Sequence, residues 1–426
     1  MKKLSRRGFG KAALATGVTI MVSGKAAAQR RYDVVVIGGG FGGATAAKYV
    51  RKFEPKLSVA LIEQNRVFHT CPFSNLVIGG LRPLNSIAHN YLALSKRWGI
   101  DVIHQRAGRL NPSARTVRLA DGPEIGFDKA IVSPGVDFDF RAIEGYDRAA
   151  MRTMPHAWKA GPQTRELRDQ LREMEDGGLV IIAPPMDPFR CPPGPYERAS
   201  MIAHYLKTRK PRSKILILDP KTTFSKEALF KQAWERLYPG MIEYLNAADD
   251  GRVVRVDPER REVETAFGAR YTGAVVNIIP PQFAGVIAGN AGLANEDGWC
   301  PVNPVTFESR MARDIHIIGD AAIAGAMPKS GFSANSQGKI AALNVAASLT
   351  GRDPVAGSFA NTCYSILAPD YGISVAKVYR SSADDGIVGV EGSGGLSPMD
   401  ADAGFRAAEA HYAQGWYEAV TADMFT

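Results

Sequence analysis

Cysteine is scarce in this sequence, with four residues among 426. So low a number excludes a small scaffold held together by disulfides. No two cysteines are spaced as C-x-x-C, which excludes a zinc ribbon and a thioredoxin-type motif, and no metal site is predicted. Each of Cys71, Cys191, Cys300 and Cys363 is therefore a small buried side chain, half of a structural disulfide, or a reactive group.

Long apolar runs are also missing. The run over residues 12–22 is too short to cross a bilayer. It follows a basic segment that contains Arg6 and Arg7 and precedes an Ala-x-Ala site at 26–28, which is the layout of a cleaved signal peptide. The paired arginines resemble a twin-arginine export signal. We therefore expect residues 1–28 to be a twin-arginine signal peptide and the protein to be periplasmic.

The net charge of the chain is small when residues 1–28 are left out. The formal charge of +9 includes six basic and no acidic residues from 1–28, so the remainder carries +3. No basic block interleaved with aromatics is left, and nucleic acid is therefore not expected as a partner. A hydrophobic fraction of 45% in a chain of this length indicates a globular protein of two or three domains.

The strongest motif opens the sequence after the leader. An apolar strand pattern runs into G-x-G-x-x-G at Gly38, Gly40 and Gly43, a helical stretch follows, and a second apolar run ends in Glu63. The glycines permit a tight turn and close approach of the backbone to a pyrophosphate, and the helix N-terminus offers free N–H groups. Glu63 would accept hydrogen bonds from ribose hydroxyls. The pattern predicts a dinucleotide-binding βαβ unit.

A second such unit begins with the apolar strand pattern 179–183, but its turn differs. Residues 184–194 are rich in proline, which lacks the N–H groups that cradle a pyrophosphate, and they include Cys191. A reductase driven by NAD(P)H normally has a second glycine fingerprint here, so we expect this second nucleotide site to be lost. A later strand pattern ends in Gly319-Asp320-Ala321, where Asp320 favours FAD over NAD as the bound dinucleotide.

The fold class that follows is α/β, with two Rossmann-like domains of the glutathione-reductase type and a C-terminal α+β domain. The expected segments are 30–150 and 281–349 for the FAD-binding domain, 151–280 for a second Rossmann-like domain without a nucleotide fingerprint, and 350–426 for a C-terminal interface domain. Strands are predicted near 100–104, 116–119, 129–132, 179–183, 214–218, 274–279 and 315–318, and helices over 197–208 and 334–349.

One cysteine stands where the backbone could activate it. Cys191 closely precedes the helical pattern that starts at Glu197. A helix N-terminus lowers the pKa of a nearby thiol and raises its thiolate content. This position makes Cys191 a candidate nucleophile, whereas Cys300 has no assignable role.

Together these motifs resemble the flavoprotein subunits of flavocytochrome c sulfide dehydrogenases, within the FAD-dependent pyridine nucleotide-disulfide reductase-like flavoproteins. The matching segments run in order over most of the chain beyond residue 28. They are the leader, the fingerprint at 38–43, and residues 70–75, 191–198, 299–302, 319–321, 328–335 and 362–365. The segments around Cys191 and Cys363 are the most specific.

The resemblance implies a role for each matched position. Cys191 and Cys363 would form a redox-active disulfide beside the flavin, with either one facing it. Glu197 would be an acid/base near that disulfide, and Cys71 would carry FAD covalently. The list of implied cofactor contacts is completed by Gly38, Gly40, Gly43, Glu63, Asp320 and Trp416.

The activity that the resemblance implies is oxidation of sulfide. Hydrosulfide would attack the disulfide, and electrons would pass to FAD and then singly to a c-type cytochrome. The chain lacks the C-x-x-C-H motif, so haem c is expected on a partner subunit of a heterodimer. Polysulfide and a protein-bound persulfide stay open as alternative substrates.

Three other functions are possible for such a sequence. A sulfide:quinone oxidoreductase needs membrane contact, whereas residues 398–426 carry five acidic side chains and one basic one, which an anionic bilayer repels. No integral membrane contact is therefore expected. An NAD(P)H-dependent disulfide reductase is disfavoured by the missing second fingerprint. A non-catalytic flavin-binding partner of periplasmic sulfur carriers would need its cysteines only for structure.

Overall fold

A computed structural model describes residues 30–426, and the leader predicted over 1–28 lies outside the described residues. The helices in this part of the chain are α1 (Phe41–Phe53), α2 (Ser74–Ile78), α3 (Leu92–Trp98), α4 (Pro162–Glu173), α5 (Gly194–Arg209), α6 (Glu227–Leu237), α7 (Val286–Asn290), α8 (Gly331–Leu349) and α9 (Ala403–Phe425). None of them is both long and apolar enough to cross a membrane.

The strands of the same residues alternate with these helices through most of the chain. They are β1 (Arg31–Ile37), β2 (Val59–Ile62), β3 (Val67–His69), β4 (Ala88–Asn90), β5 (Asp101–Ile103), β6 (Ala107–Asn111), β7 (Thr116–Leu119), β8 (Glu124–Val132), β9 (Val136–Phe138), β10 (Leu179–Ala183), β11 (Lys214–Leu218), β12 (Ile242–Leu245), β13 (Val253–Asp257), β14 (Glu262–Thr265), β15 (Arg270–Thr272), β16 (Val275–Ile278), β17 (Gln282–Ala284), β18 (Cys300–Pro301), β19 (Ile315–Ile317), β20 (Ala322–Ile323), β21 (Ser358–Ala368), β22 (Tyr371–Ser382), β23 (Gly386–Gly389) and β24 (Gly395–Leu396).

The first sheet has the order β5-β2-β1-β8-β7-β6, and β19 joins it beside β8. Strands β2 and β8 run parallel to β1 on its two sides, and β19 runs parallel to β8. Five of the seven residues of the central strand β1 are buried, as expected of an apolar strand in the middle of a parallel sheet. The chain therefore leaves this sheet after β8 and returns to it at β19.

The second sheet is parallel, with the order β12-β11-β10-β16. Helices α5 and α6 supply apolar side chains to the core on one of its faces. These two sheets confirm the predicted α/β class with two Rossmann-like units. The domain boundaries at residues 150, 280 and 349 stay predictions.

The C-terminal part is built on the long antiparallel pair β21 and β22, and β23 and β24 extend it. Helix α9 packs across this pair and also reaches α1 of the first domain. Strand β21 in turn lies against α5 and α8. This arrangement brings the last 70 residues over the place where the two Rossmann-like units meet.

The predicted elements are present, and two helices begin earlier than their apolar patterns suggested. Helix α8 starts at Gly331 because the Ser330 side chain accepts a hydrogen bond from the Ser333 N–H and caps its first turn. Helix α5 starts at Gly194 with Pro195 in its first turn, a position where proline costs no hydrogen bond. Each start lies beside the cavities described below.

Candidate functional site

A cavity of about 510 Å³ opens beside the glycine-rich turn between β1 and α1. Gly38 has φ +93°, and a Cβ built there would lie 2.2 Å from the Ser133 carbonyl oxygen, so only glycine fits. Gly40 precedes the first turn of α1, and no side chain caps the N–H groups there. The turn therefore presents free donors to the cavity, as an anionic pyrophosphate requires.

Gly43 has a different role from the one expected of it. It lies within α1 and is not among the residues that line the cavity. A Cβ at this position would lie 1.8 Å from the Gly38 carbonyl oxygen. Gly43 therefore lets the helix approach the strand, and it contributes to the site only by placing the turn.

Glu63 lines the same cavity just beyond β2. Its Oε2 accepts a hydrogen bond from the Gly39 N–H at 2.9 Å, and its Oε1 accepts from the Asn65 N–H at 2.8 Å. These two bonds fix the carboxylate at the edge of the glycine turn. Its remaining lone pairs suit a vicinal diol such as the ribose of a dinucleotide.

Asp320 lines the cavity in the segment that follows β19. Its Oδ1 is buried and has no hydrogen-bond partner among the described residues, while Oδ2 lies 3.8 Å from Arg190 Nη1. Burial raises the pKa of this carboxyl group. An orphaned buried acceptor is costly unless a ligand supplies a donor, so the residues present fit a bound dinucleotide.

A second, smaller cavity of about 80 Å³ adjoins the first. Its wall includes Cys191, Cys363 and Glu197, the three residues predicted to be catalytic. Both cavities share Cys71 and Cys191 as lining residues. The structure thus brings together side chains from widely separated parts of the sequence, next to the dinucleotide cavity.

Cys191 is held in an unusual backbone conformation. Its φ is +56°, which is rare for a residue other than glycine, and its N–H donates to the Lys329 carbonyl oxygen at 2.8 Å. Burial raises the pKa of its thiol, and Cys363 and Glu197 raise it further. The expected lowering by a helix N-terminus was wrong, because the side chain is enclosed among groups that disfavour a negative charge.

Cys363 lies on β21, and its Sγ is 3.4 Å from Asn361 Nδ2. Burial raises the pKa of this thiol as well, whereas Lys226 and the Asn361 side chain act in the opposite direction. All four cysteines of the chain are free thiols in the structure. Cys191 and Cys363 line the same cavity, and their disulfide and its redox role stay predictions.

Glu197 projects from the first turn of α5 and accepts two hydrogen bonds. Asn75 Nδ2 donates to its Oε2 at 2.7 Å, and the Ile366 N–H donates to its Oε1 at 2.9 Å. Burial raises the pKa of the carboxyl group. A raised pKa brings this carboxyl closer to neutral pH, where a general acid or base works best.

Two important residues of the site carried no predicted role. Asn75 binds Glu197, and its Oδ1 accepts from Arg198 Nε at 3.1 Å. Arg198 is fully buried and also donates to Asn277 Oδ1 at 2.8 Å and to the Ala157 carbonyl oxygen at 2.6 Å. Both lie within the segments that carried the resemblance, but nothing in one sequence shows that they meet.

The remaining predicted positions divide between the two cavities. Cys71 Sγ is 3.4 Å from the Trp158 carbonyl oxygen, at the junction. Trp416 of α9 lines only the smaller cavity, where its ring stacks on Phe332 with centroids 5.7 Å apart. Its predicted role at the cofactor stays a prediction. Cys300 is buried on β18 and lines neither of these cavities.

In the second Rossmann-like unit an acidic residue is bound by internal partners. Asp219 directly follows β11, where such a fold holds an acid for a ribose. Here Lys221 Nζ lies 2.6 Å from Asp219 Oδ1 and also donates to Pro185 of the proline-rich turn. The Tyr196 hydroxyl donates to the other carboxylate oxygen. Internal partners thus occupy the acid, consistent with the predicted loss of a second dinucleotide site.

Three family models match the sequence. Residues 32–174 match the pyridine nucleotide-disulphide oxidoreductases. Residues 164–280 match the central region of the flavoprotein chain of flavocytochrome c sulfide dehydrogenase, and residues 355–425 match the flavin-binding region of the same enzyme. The matches cover each of the three structural parts described above.

Individual relatives agree with these families. The sulfide dehydrogenase flavoprotein chain of Chlorobaculum thiosulfatiphilum is 64% identical over 44 residues, which are 10% of this chain and 92% of that sequence. The mitochondrial sulfide:quinone oxidoreductase of Mus musculus is 22% identical over 309 residues, 69% of this chain. The matched region spans 66% of the mouse protein, just under two thirds of its length.

Solved structures with the same fold include two enzymes of sulfur chemistry. The sulfide:quinone oxidoreductase of Aquifex aeolicus superposes with a TM-score of 0.69 at 18% identity, covering 92% of each chain. The NAD-dependent persulfide reductase of A. fulgidus gives a TM-score of 0.62 at 16% identity, covering 92% of this chain and 76% of that one. At these identities the likeness establishes the fold alone.

Proposed function

Because this chain belongs to the family of flavocytochrome c sulfide dehydrogenase flavoprotein chains, we propose that it oxidises sulfide with FAD and passes the electrons to a c-type cytochrome. One observation carries the proposal: Cys191, Cys363 and Glu197 line a single cavity that adjoins the dinucleotide cavity. Free sulfide is small enough for a space of about 80 Å³.

The residues of the larger cavity would hold FAD. The turn at Gly38 and Gly40 would bind the pyrophosphate, Glu63 the adenosine ribose, and the orphaned Oδ1 of Asp320 a hydroxyl of the ribityl chain. When bound, FAD supplies an acceptor that takes two electrons and returns them one at a time.

The chemistry proposed for the protein's own groups is disulfide exchange. Hydrosulfide attacks one sulfur of a Cys191–Cys363 disulfide, so that one S–S bond forms while another breaks. The products are a persulfide on one cysteine and a thiolate on the other. Glu197, whose pKa is raised by burial, would exchange protons with the entering sulfur species.

Anaerobic mixing of the purified holoprotein with sulfide tests this function. The visible absorbance of the flavin should bleach in the native protein and in Cys300→Ser, since Cys300 lines neither cavity. Bleaching should be lost in Cys191→Ser, which cannot form the disulfide. An unbleached native flavin would refute sulfide oxidation and favour a non-catalytic flavin-binding role, while bleaching in Cys191→Ser would refute the disulfide as the entry point.

We also propose that Cys71 carries the flavin covalently. Its Sγ lies at the junction of the two cavities, where the reactive ring of a bound flavin would be reached from the cysteine pair. Acid precipitation distinguishes a covalently linked flavin from a dissociable one. The flavin should stay in the pellet of the native protein and be released into the supernatant from Cys71→Ser. Yellow colour in the supernatant of the native protein would contradict the link.

The electron acceptor has two candidates. Family membership supports a cytochrome partner that bears haem c in a heterodimer, whereas the long alignments with sulfide:quinone oxidoreductases favour a quinone. Reoxidation of the sulfide-reduced protein decides between them. A soluble c-type cytochrome should reoxidise it faster than a short-chain quinone, and the reverse order would establish the quinone enzyme.

A periplasmic location is part of the same proposal. It is supported by the twin-arginine pattern of residues 1–28. Expression of the full chain in a bacterium should yield a processed protein in the periplasmic fraction, and Arg6→Lys with Arg7→Lys should retain it in the cytoplasm. Export of the doubly substituted chain would refute this route.

A further inference from the structure

Lys226 is a buried lysine close to the cysteine pair. It stands just before α6 and is 5% exposed. Its Nζ donates to the Cys363 carbonyl oxygen at 2.8 Å, to Ser365 Oγ at 2.8 Å and to the Ile373 carbonyl oxygen at 3.4 Å. The three N–H groups of the ammonium are therefore directed at β21 and β22, around Cys363.

The hydrogen-bond partners of this cation are all neutral. Among residues 30–426, Lys226 forms no salt bridge with a carboxylate. An ammonium that is removed from water without a negative partner destabilises the folded state unless something else compensates its charge. Burial accordingly lowers the pKa of Lys226 to about 8, and Cys363 is the largest opposing influence.

A second buried lysine shows why this case differs. Lys210 Nζ also donates to backbone carbonyls, those of Arg172 and Met174. These carbonyls stand at the C-terminus of α4, where the helix dipole supplies the negative charge. Lys226 has no helix C-terminus among its acceptors, and the groups that favour its charge are first Cys363, Glu197 and Cys191 of the small cavity and then Glu409 of α9.

Charged and titratable groups reach Cys363 from each element packed around it. Glu197 faces it from α5, Cys191 from the preceding turn, Tyr379 from β22, and Lys226 from the start of α6. Glu409 of α9 acts on Lys226. Lys226 is the cation among these groups and favours a negative charge on Cys363, whereas Glu197 disfavours it.

We propose that Lys226 is a positioning residue that stabilises the thiolate of Cys363 when the Cys191–Cys363 disulfide is opened. This role rests on the proposed function, because a Cys363 thiolate forms only if the disulfide is opened by exchange. The bond that breaks leaves its electron pair on Cys363, and a stabilised thiolate leaves faster. Lys226 does not line the cavity, so it acts through Cys363 rather than on sulfide.

The acidity of the Cys363 thiol is the direct test, and it requires neither sulfide nor an electron acceptor. The reduced full-length holoprotein carrying Cys191→Ser is treated with iodoacetamide across a range of pH, and modification of Cys363 is followed by peptide mass spectrometry. Adding Lys226→Gln should raise the apparent pKa of Cys363 by at least about one unit, a tenfold loss of thiolate at a given pH. Lys226→Arg should restore the original profile, and Lys210→Met is the control for loss of a buried ammonium.

An unchanged Cys363 profile in Lys226→Gln would overturn the proposal. Lys226→Met is the second neutral variant if glutamine prevents folding. If neither folds, the two cysteines are compared with Lys226 in place. Cys363 in the Cys191→Ser protein should be more acidic than Cys191 in the Cys363→Ser protein, and the opposite order refutes the role. Because alkylation is independent of sulfide turnover, failure of the proposed function is seen separately as absence of flavin bleaching.

Discussion

Buried polar side chains, rather than exposed ones, define the geometry around the cysteine pair. Arg198 joins α5 to Asn75 on one side and to Asn277 of the second sheet on the other. It also donates to the His156 carbonyl oxygen at 2.9 Å. Because every partner is buried, removal of any one leaves another group unsatisfied. The position of Glu197, the next residue in the chain, depends on this network.

His156, whose carbonyl oxygen binds Arg198, has an imidazole ring that burial keeps neutral. The Trp158 N–H donates to its Nδ1 at 2.9 Å, so that nitrogen must be unprotonated in the folded chain. Burial, together with the charges of Arg198, Lys159 and Arg190, lowers the pKa of His156 to about 3. The folded state thus holds the neutral ring at pH values where the unfolded chain binds a proton.

The expected consequence is a loss of stability on acidification. Above the ordinary histidine pKa of about 6.5, both states are neutral and the stability is fully present; between about 6.5 and 3 the unfolded state binds the extra proton. His156 should then lower the free energy of unfolding by about 2 kcal/mol from pH 7 to pH 5. Urea unfolding at both pH values should show this difference disappear in His156→Asn.

The exposed His411 supplies the control for that measurement. His411→Asn should keep the pH dependence of the native protein. If His156→Asn loses as much stability on acidification as the native chain, the neutral buried imidazole is not the cause.

At the scale of elements, Gly43 of α1 is tightly enclosed, whereas Gly415 of α9 has open space around it. Helix α1 touches the end of β1 at Gly43, where a Cβ would meet the Gly38 carbonyl oxygen at 1.8 Å. Helix α9 carries Gly415 on its exposed face, with no atom within 4 Å of a built Cβ. The close contact at Gly43 aligns the N-terminus of α1 with the dinucleotide cavity, whereas Gly415 makes no comparable contact.

Alanine should therefore have opposite effects at these two positions. Gly43→Ala forces the helix off the strand, and we expect roughly 1–3 kcal/mol of destabilisation with loss of bound flavin. Gly415→Ala removes backbone freedom in an open helical position and should stabilise by about 1 kcal/mol. Thermal unfolding and the flavin-to-protein absorbance ratio measure both. Full flavin content in Gly43→Ala would show that the close contact is not needed.

At the scale of the whole molecule, the two Rossmann-like units differ: the first has a cavity at its glycine turn, whereas in the second Asp219 is bound by its own neighbours. Tyr196 stacks on Phe224 with ring centroids 3.6 Å apart, and Tyr196 and Lys221 both bind Asp219. These contacts join α5 to the end of β11 and to the proline-rich turn that leads to Cys191. Through Lys221, which also donates to the Pro185 carbonyl oxygen, these contacts hold the loop that carries Cys191.

The molecule should consequently discriminate between electron donors. NADH should leave the flavin oxidised under anaerobic conditions in which sulfide bleaches it, because Asp219 is already bound by internal groups. Dithionite, which needs no binding site, serves as the positive control. Bleaching by NADH at a rate comparable with sulfide would contradict the predicted loss of the second nucleotide site. It would indicate a pyridine-nucleotide-dependent reductase.

The features that can be predicted from the sequence are those encoded by neighbouring residues. The strand, glycine turn, helix and Glu63 of the first unit lie within about 35 consecutive residues, and their geometry follows from the short-range requirements of backbone and phosphate. The predicted strands at 116–119, 179–183 and 214–218 coincide with β7, β10 and β11. For β10 and β11 the apolar runs suffice because parallel strands are buried on both faces, whereas the antiparallel β7 keeps the polar Arg118 exposed.

The features that the sequence did not reveal depend on neighbours that are distant in the chain. The pKa of Cys191 is raised rather than lowered, because Cys363 and Glu197 join it in an enclosed space. Trp416 lies at the smaller cavity because α9 crosses β21 and β22. Lys226 carried no motif at all, since its relation to Cys363 exists only after α6 packs beside β21.

The sequence by itself therefore determined that a dinucleotide-binding α/β fold exists, that its second nucleotide fingerprint is absent, and which cysteines stand in specific motifs. Each of these rests on residues that are neighbours in the chain. The tertiary structure decided which side chains share a cavity, how burial shifts their acidity, and where a lysine without a carboxylate partner lies. Those properties arise from desolvation and from charges brought together by packing, which no single stretch of sequence contains.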